Sequence, residues 1–129
     1  MTLEMLNGHL NLVERLSRAK ELRATLLESV QPGSRLSGMP GSPGVHDKVG
    51  DLAVELADID DVIEALEEEI ARSEEPVLMF IKGISEIHVR TIFRLRFIRG
   101  LSWKEVSRIM GRYTSEKSVS ELVYKYLNG

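Results

Sequence analysis

The sequence encodes an all-α protein, a long acidic helical hairpin or coiled coil followed by a basic helical bundle. Three observations lead there. Apolar residues recur at three- and four-residue spacing along most of the chain, and no stretch alternates as a half-buried strand would. Aromatic residues make up only 5%, against the ring-rich composition that strands favour. The charge is also split. Residues 1–75 hold 16 Asp/Glu against 7 Lys/Arg, a balance of −9, and residues 76–129 hold 4 against 10, a balance of +6. The formal net charge of −3 therefore conceals two halves suited to different partners.

The first helix is expected from Leu3 to Val30. Its apolar positions are Leu3, Leu6, Leu10, Val13, Leu16, Leu22, Leu26 and Val30, and Thr2 stands where an N-cap belongs. Residues 31–44, crowded with proline, glycine and serine, read as a mobile loop. The cleanest pattern follows. Val45, Val49, Leu52, Leu56, Ile59, Ile63, Leu66 and Ile70 alternate four and three apart without a miss, an a/d seam of more than three heptads. The remaining faces are crowded with carboxylates from Asp47 to Glu69. Two such helices, each roughly 40 Å long at 1.5 Å per residue, either fold back as a hairpin or pair between chains. Residues 1–72 form this acidic region, and residues 73–129 form the basic one.

Ser73-Glu74-Glu75-Pro76 reads as a restart, with a serine cap, acids in the first turn and proline where an amide has no helical partner. The short helix it opens ends at Gly83. Ser85 is expected to cap the next helix, from Glu86 to about Arg99, and Gly100 stops it. Ser102-Trp103-Lys104-Glu105 has the form of a capping box. That helix ends near Gly111, Arg112-Tyr113-Thr114 makes a turn, and Thr114 or Ser115 caps a last helix to about Leu127. Val119, Leu122, Val123 and Tyr126 give it an inner face.

A short capped helix, a glycine-bearing turn and a second amphipathic helix make a helix-turn-helix. Packing the first helix across the second leaves the outer face of 115–127 free to enter a major groove. That face carries Lys117, Ser120, Glu121 and Tyr124, all able to bond base edges. Lys104, Arg108, Arg112 and Lys125 flank it as candidate phosphate contacts. Trp103 reads as a core anchor. Arg90, Arg94 and Arg96 serve either as a solvated helix face or as further DNA contacts.

Other chemistry finds no footing in the sequence. There is no cysteine, which removes disulfides and thiolate metal sites. His9, His46 and His88 lack the spacing of a helix-borne metal site and read as surface or partly buried polar groups. The carboxylate runs read as the outer face of a coil, and nothing implies the cleft that would shift their pKa values. The glycine-rich stretch lacks the Gly-Lys-Ser/Thr of a phosphate loop. The expectation is no enzyme, cofactor, metal or small-molecule substrate. With no apolar run of membrane-span length and no basic-then-apolar leader, a cytoplasmic protein without a membrane partner is expected.

The segment Leu95-Arg96-Phe97-Ile98-Arg99-Gly100-Leu101-Ser102-Trp103-Lys104-Glu105-Val106-Ser107-Arg108-Ile109-Met110-Gly111 resembles the fourth region of bacterial sigma factors. It is similar, more closely, to a family of small phage and prophage proteins of unknown function. These join an acidic helical N-terminal part to a sigma-like helix-turn-helix. Phage late-transcription activators of the ArpU and RinA kind are similar in layout. The resemblance covers roughly residues 84–127. It implies a sigma-like bundle that reads double-stranded DNA, with RNA polymerase as a further partner. The turn departs from the sigma pattern: Gly111 to Val119 spans eight residues rather than six. Residues 1–75 hold nothing resembling the promoter-melting parts of a full sigma factor.

The expected function is sequence-specific transcriptional regulation of phage or prophage origin, with a homodimer through residues 45–70 as one arrangement of the coil. Two alternatives stand beside it. One is a DNA-packaging component of the small-terminase type. The other is an adaptor that grips RNA polymerase without touching DNA.

Overall fold

The computed structural model describes residues 1–29, 43–111 and 115–129, the side chains of 43–49 excepted. The expected loop at 31–44 falls almost wholly outside these residues, as do Val30, the turn residues Arg112, Tyr113 and Thr114, and the side chains of Val45, His46 and Val49. Helix α1 spans Leu3–Glu28 and α2 spans Pro43–Lys82. Helix α3, Ile87–Phe93, runs on into a π-helical turn, Arg94–Ile98. Helix α4 spans Trp103–Met110 and α5 spans Glu116–Asn128. The fold is all-α: among the described residues there are five α-helices and no strand.

The chain divides into two compact units, Arg15–Glu67 and a second made of Met1–Glu14 with Glu68–Gly129. These packing units follow other bounds than the acidic region 1–72 and the basic region 73–129. The start of α1 belongs with the C-terminal helices because Leu6 and Leu10 are buried in the same core as Ile92, Phe93 and Phe97.

In the unit Arg15–Glu67 the heptad seam does what its spacing implies. Leu52, Leu56, Ile59, Ile63 and Leu66 are shielded, and every other residue from 50 to 67 is exposed. Leu66 is the most buried of them at 4%. The seam faces α1 of the same chain, so the hairpin is the arrangement present. Arg23 Nε donates to Asp60 Oδ1 at 2.5 Å, and Lys20 Nζ lies 3.8 Å from Glu67 Oε2. As the number rises along α1 it falls along α2, so the two helices run antiparallel. The hydrogen bond to Asp60 raises the Arg23 pKa, but an exposed pair of this kind adds little stability. One expectation fails here. Leu22, placed on the inner face from sequence, is 44% exposed. The inner face of α1 follows Leu16, Ala19, Arg23 and Leu26, which puts Leu22 about 80° to one side at 100° per residue.

The other unit closes around Leu6, Leu10, Val77, Ile81, Ile84, Ile92, Phe93, Phe97, Val106, Val119 and Val123. Phe93 is central to its ring contacts, with centroids 5.7 Å from Phe80 and Phe97 and 5.5 Å from Tyr126. Chain restart at Ser73 does not occur, because α2 continues through Pro76 to Lys82. Proline at 76 leaves the Arg72 carbonyl without its helical donor, a loss of about 3 kcal/mol in a helix interior. Burying Val77 and Ile81 beyond it returns roughly 1.5–3 kcal/mol each, enough to keep the helix intact. Ser73, expected as a cap, sits inside the helix. Its Oγ donates to the Ile70 carbonyl at 3.3 Å and is joined to His9 Nδ1 at 2.5 Å. His9 is itself 2% exposed, a core group rather than a surface one.

The cap of α3 is Glu86 instead of Ser85. Its carboxylate accepts from the amides of His88 and Val89 at 3.1 and 2.9 Å. At the far end of this segment the bonds widen: Arg99 N donates to Arg94 O, and Leu101 N donates to Leu95 O. Gly100 then turns the chain at φ +73°. A Cβ there would stand 3.0 Å from Val13 Cγ1 of α1, so the position needs glycine both for its backbone and for its space.

Candidate nucleic-acid interface

The surface in question is built by α4 and α5. Ser102 caps α4 by accepting from the Glu105 amide at 3.1 Å, while the Glu105 carboxylate accepts from the Ser102 amide at 3.0 Å. This is the reciprocal capping box that the spacing implied. The bond from the Ser102 amide holds the Glu105 carboxyl below its usual pKa. With Val106 and Ser107 turned inward, Lys104, Glu105, Arg108 and Ile109 face solvent. Gly111, at φ +63°, ends the helix.

Ser115 caps α5, accepting from the Ser118 amide at 3.1 Å. Val119 and Val123 are fully buried, and Leu122 and Leu127 are partly so. The opposite face presents Lys117, Glu121 and Tyr124 to solvent, with Lys125 beside them. Lys117 Nζ lies 3.8 Å from Glu121 Oε1, one helical turn on. The two therefore form a donor and acceptor held side by side, still largely exposed. Ser120 is half-buried, and its hydroxyl donates to the Lys117 carbonyl at 3.1 Å. Of the base-facing candidates it is the least available. Arg112 lies outside the described residues.

The arginines of α3 and its π-helical turn divide by role. Arg90 Nη1 donates to the Ile84 carbonyl at 2.9 Å, bracing the α2–α3 connection. Arg96 Nη1 donates to the Leu101 carbonyl at 2.9 Å, and its guanidinium carbon lies 4.5 Å from the centroid of the Trp103 ring. Burial lowers the Arg96 pKa, and the charge of Glu14 and the Tyr124 hydroxyl oppose that shift. Arg94 and Arg99 are exposed.

Trp103 packs against the core as expected of an anchor, but it is only half-buried. One edge-on contact reaches Phe97 at 6.5 Å and another reaches Tyr124 at 6.2 Å. Arg96, Trp103 and Tyr124 thus form a connected cluster that the sequence did not reveal. They lie on three different helical segments, with Gly100 between the first two, so no single periodicity links them. The only signal was compositional, an arginine and the sole tryptophan close to the same helix-stopping glycine.

No group of three or more His, Asp or Glu side chains among the described residues is placed to hold a metal ion. No helix among them is long and apolar enough to cross a membrane. No protein-family model, curated protein or solved structure compared with the chain matches it.

Proposed function

We propose that the chain is a sequence-specific, double-stranded-DNA-binding transcriptional regulator, with α5 as the helix that enters the major groove. The observation that carries this reading is the division of α5 into two faces. Val119 and Val123 hold one face in the core, while Lys117, Glu121 and Tyr124 stand outward on the other. Exposed cations, Lys104 and Arg108 on α4 and Lys125 on α5, flank that face where phosphates would lie. The balance of +6 over residues 76–129 supplies the long-range attraction on which such binding depends. The −9 of residues 1–75 opposes contact with DNA elsewhere.

Each outward residue has a role by its chemistry. Lys117 donates to guanine O6 or N7, Glu121 accepts from cytosine N4, and Tyr124 offers a ring and a hydroxyl. Lys104, Arg108 and Lys125 neutralise phosphates and fix register. Phage or prophage origin and an RNA polymerase contact rest on the sigma-like segment 95–111 alone.

The test is selection of bound duplexes from a random pool, followed by affinity measurement at several salt concentrations. Recovery of a defined site is expected, with each of Lys104→Ala and Arg108→Ala reducing the log–log salt slope by about 0.9. Absence of salt-sensitive binding to any duplex overturns the reading. A closed ring of many copies in solution would point instead to a packaging component.

A further inference from the structure

Arg96 stands out because its surroundings fit neither a solvated arginine nor a phosphate contact. A phosphate-binding guanidinium needs its fork of donors turned outward. Here Nη1 is bonded to the Leu101 carbonyl at 2.9 Å. The guanidinium carbon lies over the Trp103 ring, 4.5 Å from its centroid. Nε is buried and finds no hydrogen-bond partner among the described residues.

What the guanidinium touches leads directly to the DNA-reading helix. Leu101 and Trp103 lie on either side of the Ser102 cap that starts α4. The Trp103 ring, covered by Arg96, meets the Tyr124 ring edge-on at 6.2 Å. Tyr124 is next in sequence to Val123, which is fully buried. Val119 and Val123 seat α5 on the core and the Tyr126 ring meets Phe93 and Phe80 edge-on, but at 100° per residue these contacts lie on the inner side of the helix, away from the edge that carries Tyr124. A ring contact at that edge, backed by a planar cation, restricts rotation of the helix.

We propose that Arg96 is a positioning residue for DNA reading: through Trp103 it holds Tyr124, and with it the outward face of α5, in a fixed orientation on α4. This rests on the reading of α5 as the DNA-reading helix. Only arginine suits the role, because lysine supplies the charge without the planar fork that bonds a carbonyl edgewise while stacking on indole.

The experiment compares full-length Arg96→Lys and Arg96→Gln with the wild type, below the unfolding temperature of each. Three quantities are read: duplex affinity against salt, Trp103 emission and the Tyr124 ring resonances. The chain has one tryptophan, so the emission belongs to Trp103 alone. Both variants are expected to bind about tenfold more weakly with the salt slope unchanged, to show altered emission, and to shift the Tyr124 resonances. A structural role confined to stability would lower the unfolding temperature and leave the affinity of the folded protein alone, which overturns the proposal. So does wild-type affinity in Arg96→Lys together with a salt slope reduced by about 0.9 in Arg96→Gln, the signature of a phosphate contact. If the wild type binds no duplex at any salt, it is the DNA reading that fails. The Tyr124 resonances then decide the positioning step: movement in both variants supports it, and no movement overturns it.

Discussion

His9 shows how a single buried group ties stability to pH. Its ring is 2% exposed and hydrogen-bonded to Ser73. Burial lowers its pKa from 6.5, with the charge of Glu74 opposing. The unfolded chain takes up the proton near pH 6.5, and the folded chain resists until lower pH. The contribution is therefore complete above pH 6.5 and is lost as pH falls from there towards the depressed folded value. Urea midpoints at pH 7.5, 6.5 and 5.5 should fall with pH in the wild type and fall less in His9→Leu. Two glycines make a second comparison. Gly100 and Gly111 both have positive φ, a conformation costing about 1–2 kcal/mol for other residues. Among the described residues only Gly100 also has a neighbour in the way, Val13 Cγ1 at 3.0 Å from a Cβ, whereas none of them lies within 4 Å of a Cβ at Gly111. Gly100→Ala should therefore destabilise more than Gly111→Ala, and Val13→Ala should relieve part of the difference in a double-mutant cycle.

Among the helices, the start signals held at Ser102 and Ser115, slipped by one residue from Ser85 to Glu86, and failed at Ser73, where burial competes. The capping box of α4 and the Ser115 cap of α5 follow their sequence patterns because an exposed helix start has only side chains and water to satisfy its amides. Ser102→Ala should cost about 1 kcal/mol in denaturant unfolding. The Ser-Glu-Glu-Pro pattern in α2 is an equally good start signal, yet the helix passes through it. Val77 and Ile81 lie beyond Pro76 and belong to the buried core, which outweighs the lost hydrogen bond. The π-helical turn Arg94–Ile98 had no sequence signal. It brings Arg96 to the Leu101 carbonyl and to Trp103, and apolar spacing does not distinguish a π turn from the α-helix around it.

Across the chain, the charge boundary and the packing boundary are different. Charge changes sign near residue 75, but compact packing joins Met1–Glu14 to Glu68–Gly129. A fragment of residues 73–129 carries the whole helix-turn-helix but lacks Leu6 and Leu10, which are 0% and 3% exposed. It should unfold non-cooperatively by calorimetry or circular dichroism, and Leu6→Ala in the full chain should cost about 2–5 kcal/mol. Cooperative folding of that fragment would show that the start of α1 is dispensable.

Periodicity and end signals were enough for the helix class, the seam from Leu52 to Leu66, the caps at Ser102 and Ser115, and the outward placement of Lys117, Glu121 and Tyr124. These depend on residues close together in sequence, where 100° per residue turns spacing into a face. Folding alone established that the seam meets α1 of its own chain, that His9 lies beside Ser73, that α2 survives its proline, and that Arg96, Trp103 and Tyr124 meet. Each of these joins residues on different segments or weighs a local cost against distant burial. Side chains far apart in sequence become neighbours only when the core closes, and no local pattern records which ones they will be.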